Sequence, residues 1–511
     1  MKNYIISLSL LLSLALCTSC ASGFLETYST QGVDEGNVFK TTESAMTALE
    51  GTHKLMYYNG DQSQNYMGYE TMLVMGDLMG EDLLFGGSTS LFMQSYNWTV
   101  HRTITSAMMN YCYKFHYNIV ANVNVIIENI DNAAGSQDER DYIKGQALGL
   151  RAAMYFNLVR MWSKRYEAGQ ANTQLGVPLV LDTETSKTPQ PRATVEDVYQ
   201  AINDDLDQAI SLLGSATKRS TKMHLNQSVA NGLKSRVALT QGQWEEAARY
   251  ARAARTTDYA LSPTIFTETP SRFCDQSNTE WMWGTKRIKA EDEGFSSLQV
   301  FFGNTDAVTS RNGPKCIYNS LYHRISDTDK RKGMFAATAA IANSEAFVPP
   351  SPTTKLPAYY NNKYMVPDHS SPQVDCPYMR VSEMYLIEAE AAARLGRDAD
   401  AQQTLYELIV TRDPQYTKSV QTGPALLDEI LLHRRIELWG EGFRFFDLKR
   451  MGDPLVRDKP AILPDGKTEN SNHNIAWATA ATMQIPADDP RWQFLFSDDE
   501  LNNNPHIIQN D

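Results

Sequence analysis

The sequence predicts a mainly α protein: repeat-like helix pairs as a scaffold, long loop-rich insertions, and a few short strands. Three observations predict it. Apolar residues recur at spacings of three and four over several long windows, the mark of helices with one buried face. Two helix–turn–helix junctions place a glycine five residues before an alanine, Gly242 to Ala247 and Gly396 to Ala401. Two long stretches, 59–105 and 262–378, lack that periodicity and are dense in glycine, serine, asparagine and aromatics.

The chain has 511 residues, enough for a large core or two to three domains. Hydrophobic content of 42% and charged content of 21% are ordinary for a globular protein. A net charge of −13 argues against a nucleic-acid partner, which would want a basic stripe. No P-loop, G-x-G-x-x-G, H-E-x-x-H or G-x-S-x-G is present, and the nine histidines are scattered. No cofactor and no metal site is expected.

In chain order, Lys2 precedes an apolar run at 4–16, too short to span a bilayer as a helix. Cys17-Thr18-Ser19-Cys20 follows. As a C-x-x-C it could mean redox or zinc chemistry; directly after an apolar run it reads as a bacterial lipoprotein signal peptide, 1–19, with Cys20 acylated. Cys17 is the second choice, but Leu16 is bulky for a cleavage position. Cys112, Cys274, Cys316 and Cys376 have no metal-ligand spacing; they read as free or buried thiols, with one disulfide left open.

A helical pattern at 42–58 leads into the first loop-rich stretch, which carries Asp77, Tyr96 and Trp98. So long a loop is usually functional when its aromatic content argues against disorder. Long helices are expected at 107–130 and 137–162, then a proline-rich connector at 175–191. Thr194-Val195-Glu196-Asp197 reads as a capping box opening a helix that ends near residue 213. Helices at 227–240 and 244–256 flank Gly242, and this junction resembles the turn of a tetratricopeptide repeat without a strict tandem period. In the second loop-rich stretch, Glu280-Trp281-Met282-Trp283 alternates like a short strand. Phe301-Phe302-Gly303-Asn304 and Arg311-Asn312-Gly313 read as exposed turns. Asp327 and Asp329 imitate a calcium loop but lack its later glycine and glutamate.

The segment 379–451 is the most informative. Ser382 is expected to cap a helix carrying Met384, Ile387, Ala391 and Leu395 and stopping at Gly396. Helices at 399–410 and from Pro424 to about 439 follow. Then comes Arg434-Arg435-Ile436-Glu437-Leu438-Trp439-Gly440-Glu441-Gly442-Phe443-Arg444-Phe445-Phe446-Asp447-Leu448-Lys449-Arg450. Two readings of its acids stand. Glu437, Glu441 and Asp447 could supply paired catalytic carboxylates, or they pair bidentately with the neighbouring arginines between helices. Each acid has an arginine nearby and no histidine or serine stands in a nucleophile setting, which favours the structural reading.

This run resembles the C-terminal signature of the SusD/RagB family of Bacteroidetes nutrient-capturing surface lipoproteins. Met379-Arg380-Val381-Ser382-Glu383-Met384-Tyr385-Leu386-Ile387-Glu388-Ala389-Glu390-Ala391 resembles the family helix before it; Met483-Gln484-Ile485-Pro486 and Asn504-Pro505 to Gln509-Asn510 resemble its closing pattern. Cys20-Ala21-Ser22-Gly23-Phe24-Leu25-Glu26 resembles its lipidated start. The resemblance implies one SusD-like domain at 20–511, with an N-terminal part at 20–215 and a C-terminal part at 216–511. It implies an outer-membrane, surface-exposed lipoprotein that binds an oligosaccharide without catalysis and delivers it to a SusC-like TonB-dependent transporter. RagB-like peptide capture and a surface glycoside hydrolase are the alternatives. Sugars offer apolar C–H faces and dense hydroxyls, which suit aromatic rings and Asp, Asn or Arg. The loop-rich insertions hold that combination at Asp77, Tyr96 and Trp98 and at Phe301, Phe302 and Arg311, the expected ligand contacts.

Overall fold

The computed structural model describes residues 38–57, 64–85, 91–214, 219–267, 273–288, 297–303, 305, 313–347, 355–370, 374–474 and 482–511. The fold is mainly helical. α1 spans Thr42–Leu55, α2 Tyr69–Leu78 and β1 Leu83–Phe85. α3 (Ala107–Asn129) and α4 (Gln137–Trp162) follow, then β2 (Leu175–Pro178), β3 (Arg192–Thr194) and α5 (Val195–Gly214). α6 (Gln227–Gln241), α7 (Trp244–Ala254), β4 (Trp281–Gly284), β5 (Lys315–Ile317) and β6 (Pro377–Arg380) lead to α8 (Val381–Arg394). α9 (Asp398–Arg412), α10 (Gly423–Glu437), α11 (Arg444–Met451), β7 (Leu455–Val456), β8 (Gln484–Ile485) and α12 (Asp498–Asn503) close the chain. The helices pack in succession: α3 on α4, α4 on α5, α5 on α6, α6 on α7, α7 on α8, and α8 on both α9 and α10. The strands form two-stranded antiparallel pairs, β1 with β5, β2 with β3, β4 with β6 and β7 with β8.

Local chemistry explains the helix ends. The Thr194 amide donates to Asp197 Oδ2 (3.3 Å) and the Asp197 amide to Thr194 Oγ1 (3.1 Å), so the capping box closes even with the shorter aspartate. Gly242 and Gly396 take φ of 70° and 73°, the left-handed conformation that lets α6 turn into α7 and α8 into α9. Two expectations need correction. Ser382 does not cap α8: the helix starts at Val381 directly from β6, with Arg380 at the cap position. The first loop-rich stretch contains α2, in which Leu73 alone is only partly buried; a helix buried on nearly all sides, with Glu70, Thr71 and Asp77 among its buried residues, has no amphipathic period to read. Trp281 and Trp283 are core residues. The four described cysteines are buried and free.

The signature acids are ion-paired in the interior. Glu437, at the end of α10, accepts from Arg412 Nη2 (2.9 Å) and Arg380 Nη1 (3.0 Å) on one oxygen and from Arg331 Nη1 (3.1 Å) on the other. Glu441 accepts from Arg380 Nη2 (2.7 Å) and Lys363 Nζ (2.6 Å). Glu280, just before β4, accepts from Arg380 and Arg412, and Asp329 from Arg331. The four cations thus face four carboxylates. Burial alone would raise the Glu437 carboxyl, but Arg412, Arg380 and Arg331 outweigh it and hold it well below the usual carboxylate range. Removing one partner leaves uncompensated charge in a dry site, which costs about 3–5 kcal/mol. Glu437→Gln is therefore expected to lose about that much in denaturant unfolding; an unchanged midpoint would contradict the pairing.

Candidate ligand-binding site

The two loop-rich stretches meet at the β1–β5 pair. Phe85 lies opposite Lys315 and Leu83 opposite Ile317, so Phe85 and Lys315 stand side by side at one edge. Below that edge lies an aromatic cluster. Phe301 stacks on Phe85 (centroids 5.7 Å apart) and meets Phe92 edge-on (4.9 Å), while Tyr96 meets Phe85 at 6.2 Å. The Lys315 ammonium sits 3.7 Å over the Phe301 ring, and burial holds its pKa well below the ordinary lysine value.

The structure therefore brings Tyr96 and Phe301 together, but within the core. Tyr96 is 0% exposed, Phe302 1%, Trp98 and Phe301 2%, and Asp77 3%. The Trp98 indole donates to Met79 O (3.0 Å) and packs edge-on against Trp492 (4.8 Å) and Phe445 (5.7 Å). Phe302 lies between Tyr364 (5.4 Å) and Trp439 (6.0 Å). The expected exposed turn at Phe301-Phe302 is instead a buried short helix, Leu298–Phe302, capped by Ser297 and tied to α2, whose Glu70 accepts from the Leu298 amide (2.6 Å). Direct ligand contact by these rings would require them to leave the core. The reason is the signature: its bulky Trp439 and Phe445 supply the surfaces on which the loop aromatics pack. Arg311 and Cys20 lie outside the described residues.

The signature also fixes the edge electrostatically. Arg435 Nε binds Asp82 Oδ2 (3.0 Å), Arg444 Nε binds Glu81 Oε1 (3.0 Å), and the Trp439 indole donates to Asp82 O (2.8 Å), all at the junction of α2 and β1. Asp77 Oδ2 accepts from the Gly442 amide (2.6 Å). The approach is close: a Cβ on Gly76 would stand 2.2 Å from Gly442 O, and Gly442 itself has φ of 87°. Sequence reasoning missed Glu70, Glu81 and Asp82 as organisers of this edge; an acidic pair directly after a helix facing an arginine-rich signature was the available signal. Every acid of the signature is ion-paired: Glu437 and Glu441 bind the cations above, and Asp447 binds Arg434 and Arg450 (both 2.8 Å). Asp327 and Asp329, the calcium-loop imitation, are held by Lys332 (2.6 Å) and Arg331 (2.6 Å). Among the described residues no helix is long and apolar enough to cross a membrane.

Helix pairs packed in succession, with short two-stranded additions, define a mainly helical, repeat-like class of fold, and the comparisons make it specific. Residues 58–239 match the family model described as "Starch-binding associating with outer membrane" (SusD-like), and residues 341–511 match the model described as "SusD family" (SusD_RagB). The chain belongs to the SusD/RagB family. A SusD-like carbohydrate-binding protein from Bacteroides vulgatus superposes with a TM-score of 0.77 at 25% identity, covering 92% of this chain and 98% of the other. A laminarin-binding SusD-like protein shares the fold at 20% identity and TM-score 0.68, covering 92% and 99%. The SusD-like protein P38 of Formosa agariphila is 21% identical over 88% of this chain and 91% of its own.

Burial pushes the Asp77 carboxyl up to about 7. A carboxyl whose folded pKa exceeds its unfolded value of about 3.9 favours the folded state at low pH and loses that contribution as pH rises through about 7. The wild type is therefore expected to lose stability between about pH 4 and pH 7, and Asp77→Asn to flatten that decline, measured by urea unfolding at each pH. A wild-type slope unchanged by the substitution would contradict a neutral buried Asp77.

Proposed function

We propose that the mature chain, 20–511 acting as one unit with its 20–215 and 216–511 parts, captures an oligosaccharide at the cell surface and passes it unaltered to a SusC-like TonB-dependent outer-membrane transporter. The observation that carries this reading is the β1–β5 pairing, which supports one shared edge for both aromatic- and polar-rich stretches. Membership of a carbohydrate-binding family points the same way. In this reading Arg311 contacts the ligand, while Asp77, Tyr96, Trp98, Phe301 and Phe302 act from beneath as the rigid floor of the edge. Preorganisation of that kind lowers the ordering cost of binding. Non-catalytic capture is supported by the ion-paired state of the signature acids, since a glycosidase needs two carboxyls free to reach the scissile bond. Acylation of Cys20 anchors the protein, and anchoring beside a pore raises the local ligand concentration at the transporter.

The test is a binding screen of the acylation-free mature chain against glycans and peptides side by side, with laminari-oligosaccharides among the glycans. Glycan binding between roughly 1 μM and 1 mM with no cleavage product is expected. Selective peptide binding would establish the RagB-like alternative, and product formation the hydrolase. On membranes, intact-mass analysis should find Cys20 acylated as the first residue; an unmodified Cys20 on the membrane-bound protein would remove the anchor from the account.

A further inference from the structure

We infer that α3 carries a second carbohydrate-binding surface, a groove for a linear, uncharged glycan lying along the helix. This rests on the glycan-capture reading and adds a surface that shares no lining residue with the β1–β5 pair. The groove has a volume of about 480 Å³ and runs between α3, the end of α1 at Leu55, and Tyr66. Its floor is aromatic: Tyr66 and Tyr111, both half-buried, stack with centroids 4.3 Å apart and planes within 10°. The Gly68 amide donates to the Tyr111 hydroxyl (2.8 Å), which fixes the pair against the scaffold.

Along one wall stand Asn110, Lys114, Asn118 and Asn122, each four residues from the last. Positions four apart share a helix face. At a rise of about 1.5 Å per residue the ladder steps by about 6 Å, close to the length of one pyranose ring, and spans about 18 Å, room for roughly three rings end to end. Asparagine both donates and accepts; the Asn122 amide already donates to Asn118 O (2.7 Å), so Asn122 offers a sugar hydroxyl its side-chain oxygen. The ladder is partly locked from outside. The Asn110 amide donates to Asp499 Oδ2 (3.2 Å), the Ser497 hydroxyl donates to Asn110 Oδ1 (3.3 Å), and Lys114 pairs with Asp499 (2.5 Å). That pairing cancels the one cation on the wall, so the groove presents amides and rings and not net charge, which disfavours anionic ligands. Lys114 and Asn118 also line a smaller groove of about 210 Å³ on the other side of α3, beside Tyr117 and Gln190.

The experiment titrates the mature chain with laminari- and cello-oligosaccharides of two and of eight units, by calorimetry, for the wild type, Asn118→Arg and Asn122→Arg. Both asparagines are exposed, so the longer side chains fill the groove without disturbing the core. About a tenfold loss of octasaccharide affinity in both variants, with an unchanged melting temperature, is expected. Tyr66→Ala is expected to act in the same direction by removing half of the floor. Wild-type octasaccharide affinity in Asn118→Arg and Asn122→Arg would overturn the second surface and leave capture at the edge standing. A wild type that binds none of these oligosaccharides, while binding peptides, would overturn both.

Discussion

The carboxylate of Glu437 receives hydrogen bonds from three guanidiniums in a site with no access to water, and the rest of the molecule is arranged so that this can happen. Moving any one of these charges out of water alone is costly; together the attractions offset the desolvation only when the geometry is good and each oxygen is satisfied. The partners come from distant parts of the chain. Glu280 precedes β4, Arg331 sits in a short 3-10 turn, Lys363 lies in irregular chain, Arg380 joins β6 to α8, and Arg412 ends α9. The cluster therefore demands that the second loop-rich stretch be folded back onto the end of α10 before any of its charges is satisfied. Buried charge of this kind is a weak source of stability and a strong geometric constraint.

From that centre the constraint spreads to the ligand edge through one short run of residues. Arg435 and Arg444 flank the Trp-Gly-Glu-Gly turn and clamp Asp82 and Glu81, while Gly442 accepts the close approach of α2. On the far side of the same run, Lys449 donates to three backbone carbonyls, Arg160 O (2.6 Å), Ser163 O (2.7 Å) and Trp492 O (2.6 Å), joining α11 to the end of α4 and to the C-terminal tail. One signature thus fixes three things at once: the second loop-rich stretch, the α2–β1 junction, and the closure of the N-terminal helices by the tail.

The sequence told much about this scaffold and little about its edge, for physical reasons. Helix α3 was legible because it keeps one apolar face along its length, α4 because Ala147, Leu150, Ala153, Met154, Leu158 and Met161 still recur at threes and fours within a helix buried on most sides, and α5 because its capping box is a local device. The glycine turns were legible because a left-handed residue is a property of one position. The acid–arginine pairing was legible as a preference, since complementary charges alternated with bulky apolar residues. α2 was not, because burial on nearly all sides erases periodicity. Nor was the burial of Tyr96, Trp98, Phe301 and Phe302: whether a ring in a glycine-rich stretch faces a sugar or a tryptophan from a segment hundreds of residues away is decided by tertiary contact, which leaves no local trace.

The central claim is that the signature charges act as one buried, mutually dependent set. A double-mutant cycle on Arg412 and Glu437, with Arg412→Met, Glu437→Leu and the double variant compared by denaturant unfolding, tests it most directly. Each single change should leave the interior set with one uncompensated charge, and the double variant should cost at least about 1.5 kcal/mol less than the two singles together. Costs that add within about 0.5 kcal/mol would show two independent residues and contradict the account.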